Sequence, residues 1–217
     1  MAIITRIFQL SSSVGKDCWL QENESTSSHN TAQLKTGRAV AGAAAMMHIL
    51  IDPGNTFSEL KNVKEARLLL YVESNNVTAG QGNALVRPLL VDWDETATYG
   101  QRKSGINWST AGARSNAGTD CSKQGYSTQG LTLTAGSWIT LYLNPAWFEN
   151  WSKRTHYGFW IAINGNYTGY SLADATNGYI TVFSSRTAAT QANAPKFEID
   201  FEYTKIFAAS AGLGTST

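Results

Sequence analysis

Charge is scarce in this sequence, and none of it is concentrated. Asp, Glu, Lys and Arg make up 15 % of the 217 residues, the net charge is +1, and the 17 basic side chains are scattered without a stripe or cluster. Nucleic acid and anionic membranes both require clustered Lys and Arg, so neither is an expected partner. Long apolar runs are lacking too. The run Ala2 to Ile7 is interrupted by Thr5 and Arg6 and is too short for a secretory h-region, and no other stretch approaches the length that spans a bilayer. An unexported chain, folded in the cytosol that makes it, is expected. Cysteine is limited to Cys18 and Cys121. Joined, they would close a loop worth roughly 4 to 5 kcal/mol in the chain-entropy model, but a cytosolic origin favours two buried thiols. Without a leader, the Asn-x-Ser/Thr sequons at Asn23, Asn76, Asn107, Asn150 and Asn166 read as products of an Asn- and Thr-rich composition.

Catalytic signatures are scarce as well. His29, His48 and His156 stand far apart, without ligand-like spacing to one another or to either cysteine, which argues against zinc. No Ser-His-Asp order, Gly-rich phosphate loop or nucleophile elbow occurs, and no internal repeat. Asp174 with Asn177, or Asp120 with Asn116, offers oxygens to a structural calcium, but neither pair has the dense acidic pattern of a dedicated site, and no cofactor is expected.

What the chain does have is Gly, Ser, Thr, Asn and Ala in abundance, a composition common in β-rich extracellular and virion proteins. The most telling stretch is Leu89 to Asp120, LLVDWDETATYGQRKSGINWSTAGARSNAGTD. It follows an apolar, β-branched run and turns polar and Gly-rich at Asp92 while keeping Trp93, Tyr99 and Trp108. Rings of that size are costly to leave in water, so the loop is expected to fold back and pack as a lid over one end of a sheet, with Trp93, Glu95 and Trp108 as its structural anchors.

Around it the pattern is of strands. Ile3 to Leu10, Asp17 to Gln21, Ala43 to Ile51, Glu65 to Glu73, Leu85 to Trp93, two runs within Leu131 to Leu143, Tyr157 to Ile163 and Tyr179 to Ser184 are expected to be extended. Leu85 to Trp93 is expected beside Glu65 to Glu73, and the run from Trp138, apolar on both faces, suits a central strand. In Lys196 to Tyr203, Phe197, Ile199, Phe201 and Tyr203 alternate with charged residues, so one face is core and the other solvent. Asn144-Pro145 is a helix start, predicting one short helix over 145–153. About ten strands and one short helix predict an all-β, jelly-roll-type antiparallel sandwich. It forms a single domain over 1–207, followed by a flexible C-terminal tail or arm over 208–217.

Two constellations invite a functional reading. Asp92, Asp94 and Glu95 could supply the paired carboxylates of glycoside hydrolysis, but neighbours on a strand face opposite ways, and hydrogen bonding to loop N–H groups is the stronger assignment. Trp147 and Trp151 lie four residues apart on the predicted helix, with Tyr167 and Tyr170 in a nearby loop, and such rings can stack on a sugar. A short helix needs its apolar face packed in order to exist, so burial is the stronger reading there and carbohydrate binding the alternative.

The order of Asp17-Cys18-Trp19, the strand Ala66 to Val72, Trp93-Asp94-Glu95-Thr96-Ala97-Thr98-Tyr99, Trp108 with Ala111-Gly112-Ala113 and Asp120, Gly158-Phe159-Trp160-Ile161, and Pro195 to Ile199 resembles the DNRLRE domain family. The resemblance runs from about Asp17 to Tyr203. It departs at Ala44 to Ile51, where the family usually has an Arg and a Phe. It implies a jelly-roll sandwich without catalytic machinery, occurring as a module in large secreted surface proteins, where related members look like carbohydrate-binding modules, and as short free-standing phage proteins. The expectation is a non-enzymatic phage virion structural protein, a capsid decoration or cement protein. It would be made in the host cytoplasm, partnered by the major capsid or other virion proteins, and homo-oligomeric through the 208–217 arm. The alternative is a carbohydrate-binding module or tail-associated adhesin for host polysaccharide.

Overall fold

A computed structural model describes residues 2–38, 46–75, 81–114, 118–149, 151–153, 155–163 and 179–203. Thirteen strands lie within them: β1 (Ala2–Gln9), β2 (Lys16–Gln21), β3 (Gln33–Arg38), β4 (Met46–Asp52), β5 (Val63–Asn75), β6 (Gln81–Pro88), β7 (Gln101–Lys103), β8 (Ile106–Asn107), β9 (Tyr126–Thr132), β10 (Trp138–Leu143), β11 (Phe159–Ile163), β12 (Tyr179–Ser184) and β13 (Lys196–Tyr203). All their pairings are antiparallel, and the protein is the expected all-β sandwich of jelly-roll type.

Two strands organise the pairing. Along one edge of β5 runs β10, and along the other run β13 and then β12 in succession, so β1, β13, β5 and β10 form the first sheet. One edge of β4 carries β2, and the other carries β11 and the end of β3, so β2, β4, β11, β6 and β9 form the second. The β12–β3 pair joins them. Leu85 to Trp93 was expected beside Glu65 to Glu73; instead β6 pairs with β11 and β9 and stops at Pro88, because both edges of β5 are already occupied. The run from Trp138 was expected to be central. It pairs only with β5 among the described strands, and its alternate side chains are half-buried or exposed.

Between the sheets the inward residues make one core. Leu68, Leu70 and Val72 of β5 and Phe197 and Ile199 of β13 face Ile49 and Ile51 of β4 and Phe159, Ile161 and Ile163 of β11, all fully buried. Phe57, from the β4–β5 connection, plugs one end, with the rings of Phe8, Phe148, Trp151 and Phe197 at centroid distances of 4.9 to 5.3 Å. That plug explains why the helix expected over 145–153 is two 3₁₀ turns, Pro145–Trp147 and Trp151–Lys153. A 3₁₀ turn aligns side chains three apart, so Phe148 stacks on Trp151, with centroids 5.6 Å apart and planes 14° apart. The cap is as expected, Asn144 accepting the Ala146 N–H at 3.0 Å. Strand β3 and the hairpin β7–β8 carry too little apolar pattern to stand out in the sequence.

Gly158, at φ +90°, holds the entry to β11 against the end of β4, where a Cβ would lie 2.2 Å from the Ile51 carbonyl oxygen. Both backbone sign and space require glycine. Gly158→Ala is therefore expected to lower unfolding free energy by more than about 2 kcal/mol, read as a shift in urea midpoint at unchanged slope.

Candidate functional site

The outward side of the second sheet is as apolar as its inward side. Cys18 and Leu20 of β2, Leu50 of β4, Leu85 of β6, and Trp160 and Ala162 of β11 are all buried, although they point away from the core. Residues 89–114 and 118–121 cover them. Trp93, 1 % exposed, and Tyr99, Trp108, Ala97 and Ala113 descend from that loop into the same cluster, making a third layer. The lid was expected over one end of a sheet; it covers the broad outer face instead, because that face is apolar across β2, β4, β6 and β11.

Each indole within this layer is anchored through its N–H: Trp93 donates to the Tyr157 carbonyl at 2.8 Å, Trp108 to Thr98 at 2.9 Å, and Trp160 of the sheet to Gly112 of the lid at 3.0 Å. Gly112, at φ +74°, lies so close beneath Tyr99 that a Cβ would come within 2.5 Å of the ring. The Asp120 carboxylate accepts from the Ser109 and Thr110 N–H groups at 3.0 and 2.8 Å, closing the far end of the loop.

The three acidic residues at the start of the lid part company. Asp92 meets Lys16 Nζ at 3.2 Å and Lys103 Nζ at 2.5 Å; burial pushes its carboxyl up, and the two lysines outweigh this and hold it below its ordinary value. Lys16 also reaches Asp52 at 3.6 Å, donates to the Trp93 carbonyl, and sits 4.6 Å from the centre of the Trp93 ring. Asp94 turns back on Thr96, accepting its N–H at 2.9 Å and its hydroxyl at 2.5 Å. Glu95 takes the Arg186 guanidinium, at 2.9 Å from Nε and also through Nη2. Neighbouring carboxylates thus serve separate partners.

Arg186, between β12 and β13, is the polar hub that the sequence did not reveal. It donates to the Ser11 and Ser12 carbonyls at 3.2 and 2.8 Å, its backbone N–H goes to Asp17 Oδ2 at 2.7 Å, and its Nε lies 3.6 Å from Asp17 Oδ1. One buried cation therefore joins the β1–β2 turn, β2, the lid and the β12–β13 connection. Asp17 is raised to about 7, first by burial and against the pull of Arg186. His48 of β4 lies beneath the lid, 4.7 Å from the Trp160 ring, and burial lowers it to about 3. Cys18 and Cys121 are buried thiols that are not joined in a disulfide, both raised by burial.

The anchors Trp93, Glu95 and Trp108 thus all sit in the lid contacts. Of the aromatic set, the two tryptophans are packed into the fold. Trp151 is 2 % exposed and donates its indole N–H to the Gly54 carbonyl at 2.6 Å, and Trp147 packs half-buried on Phe159, so these rings close the core and offer no sugar face. Tyr167, Tyr170, Asp174, Asn177 and Asn116 lie outside the described residues, as does the 208–217 arm. Among the described residues no three His, Cys, Asp or Glu side chains converge as a metal site, and no helix is long and apolar enough to cross a membrane.

Among the described residues, half-buried and exposed aromatics stand on the outer face of the first sheet. There β10 presents Trp138 and Tyr142, paired with Tyr71 and Arg67 of β5; Tyr142 is 46 % exposed, and the Tyr71 and Trp138 rings meet edge to face at 5.4 Å. Lys196 Nζ sits 4.2 Å from the centre of the Trp138 ring, and Arg67 pairs with Asp200 at 2.9 Å and Glu198 at 3.5 Å. The Trp138–Tyr142 alternation is plain in the sequence, but only the sheet order leaves it uncovered. No family model and no curated protein matches the chain.

His48 and Asp17 act on stability with opposite signs. The folded value of His48 is about 3 against an ordinary 6.5, so the unfolded chain takes up the proton first and stability falls as pH drops from 6.5 to 3. Asp17 is at about 7 against 3.8, so the folded chain keeps a proton that the unfolded chain has lost, and stability falls as pH rises from 3.8 to 7. In the shared window the two slopes, each roughly 1.4 kcal/mol per pH unit, oppose each other. Relative to the parent protein, Asp17→Asn is expected to become steadily more stable from pH 4 to 6.5 and His48→Gln steadily less, measured by urea unfolding at stepped pH.

Proposed function

We propose that this chain is a non-enzymatic structural protein of a phage virion, a decoration or cement protein seated on the capsid. The observation that carries the reading is the commitment of the polar groups around the lid. Asp92, Asp94, Glu95 and Asp120 each hold lid backbone or tie the lid to the sheets, so the carboxylates best placed for chemistry are engaged in fixing a third layer. Such construction suits a part whose task is to keep its shape. The low, dispersed charge and the resemblance to free-standing phage members of the DNRLRE family support the same reading. A decoration protein is present in hundreds of copies per particle. Quantifying the chain against the major structural protein in sedimented particles is expected to return that number; a handful of copies would move it to the tail, and recovery only in the soluble fraction would overturn the proposal.

A second reading, binding of host polysaccharide, is favoured by the Trp138, Tyr71 and Tyr142 face. Aromatic rings flanked by Arg67, Glu198 and Lys196 combine a stacking surface with donors and acceptors for sugar hydroxyls. On that reading, titration with a panel of neutral and acidic bacterial polysaccharides shifts tryptophan fluorescence, and Trp138→Ala abolishes the shift without altering the thermal midpoint. An unchanged spectrum across the panel would count against it.

A further inference from the structure

Strand β1 is an edge strand among the described residues and is exposed along nearly its whole length. It pairs with β13 along its whole length, Ala2 opposite Tyr203 to Gln9 opposite Lys196, and no strand pairs with its other edge among the described residues. Every residue of it except Phe8 is exposed, with Ile3 at 64 % and Ile7 at 62 %, and Ile4 is exposed as well. An open edge offers a row of unpaired N–H and C=O groups, and monomeric proteins blunt such edges with charges, prolines, bulges or short strands. Here the strand runs eight residues with a regular register, contains no proline, and carries Arg6 as its one charge.

We propose that β1 is a homodimer interface, pairing antiparallel with β1 of a second copy about a twofold axis at Thr5. The strand is its own complement in that register. Side chains on one face of a strand recur every second residue, so Ile3, Thr5 and Ile7 share the outer face and Ala2, Ile4, Arg6 and Phe8 the inner. With Thr5 opposite Thr5 of the second copy, Ile3 of each copy meets Ile7 of the other, and both exposed isoleucines find apolar partners. On the inner face Ile4 meets the stem of Arg6, and Ala2 meets Phe8.

Neighbouring registers do worse. Moving the axis to Arg6 sets the two arginines against each other, a destabilising like-charge pair, and moving it to Ile4 leaves Ile7 beyond the paired segment. Charge does not oppose a second copy. The outer face of β13 carries Glu198, Asp200 and Glu202. In the dimer the two acidic rows stand three strand spacings apart, roughly 14 Å, beyond the screening length of about 8 Å at physiological salt. The pairing continues the first sheet across the axis and, being isologous, closes at two, which removes the open edge.

The proposal does not depend on the virion reading. The full chain is expected to sediment as a dimer at micromolar concentration with a thermal midpoint that rises with concentration, and Ile3→Lys/Ile7→Lys as a folded monomer whose midpoint no longer depends on concentration. Thr5→Cys places two thiols on the axis and is expected to cross-link to a covalent dimer on mild oxidation, since Cys18 and Cys121 are buried. Ile106→Cys, on the exposed hairpin of the lid, serves as the control and is expected to cross-link far less. A parent chain that stays monomeric overturns the proposal, as does a double-lysine variant that remains dimeric or Thr5→Cys cross-linking no better than the control. A monomeric parent destabilised by the two lysines would mean that another segment of the same chain covers β1.

Discussion

A sheet that is apolar on both faces has to be covered twice, and the rest of this structure follows from that constraint. On β4, Met47, Ile49 and Ile51 face the core while His48 and Leu50 face the lid; on β11, Phe159, Ile161 and Ile163 face the core while Trp160 and Ala162 face the lid. A two-layer sandwich would leave that second set in water, at roughly 1.5 to 3 kcal/mol for each large side chain. Since folded proteins are stable by only about 5 to 15 kcal/mol, a few such exposures would be intolerable. The long polar connection after β6 is therefore as much a part of the fold as any strand. Its tryptophans supply area, and its glycines allow the backbone to approach the rings.

This explains why the lid was legible and its docking was not. Trp93, Tyr99 and Trp108 are too large to be loop decoration, so their presence in a Gly-rich run already implied a surface beneath them. Which surface depends on strand order, and that is a matter of long-range pairing. Nothing local tells β6 to lie beside β11 and not β5, because both candidates are apolar runs of suitable length. The same limit hid Arg186, whose neighbours Ser184, Ser185 and Thr187 look like an ordinary polar turn. Its partners Asp17 and Glu95 are 169 and 91 residues away. Trp147 and Trp151 illustrate a subtler limit. Their four-residue spacing is meaningful only in an α-helix, and in the 3₁₀ turns that form here it is Phe148 and Trp151, three apart, that align.

The two sheets end up with unlike exteriors. The outer face of the second lies under the lid, whereas that of the first presents Tyr71, Trp138 and Tyr142 among charged side chains, with the isoleucines of β1 at its margin. Recognition, whether of a capsid lattice, a glycan or a second copy, has fewer obstacles on the first sheet.

Arg186 shows how the lid is kept in register as well as in place. Apolar burial alone is tolerant of sliding, because one apolar surface serves a tryptophan nearly as well as its neighbour. A buried cation is not tolerant: displacing the lid by one residue would withdraw Glu95 and leave the guanidinium with Asp17 and the Ser11 and Ser12 carbonyls in a region of low dielectric, where losing a partner costs about 3 to 5 kcal/mol. The burial that raises Asp17 is the same burial that makes the Glu95 contact strong, so the strained carboxylate of β2 and the well-paired one of the lid have a single cause. Hydrophobic area holds the third layer on, and the ion pair allows it one position.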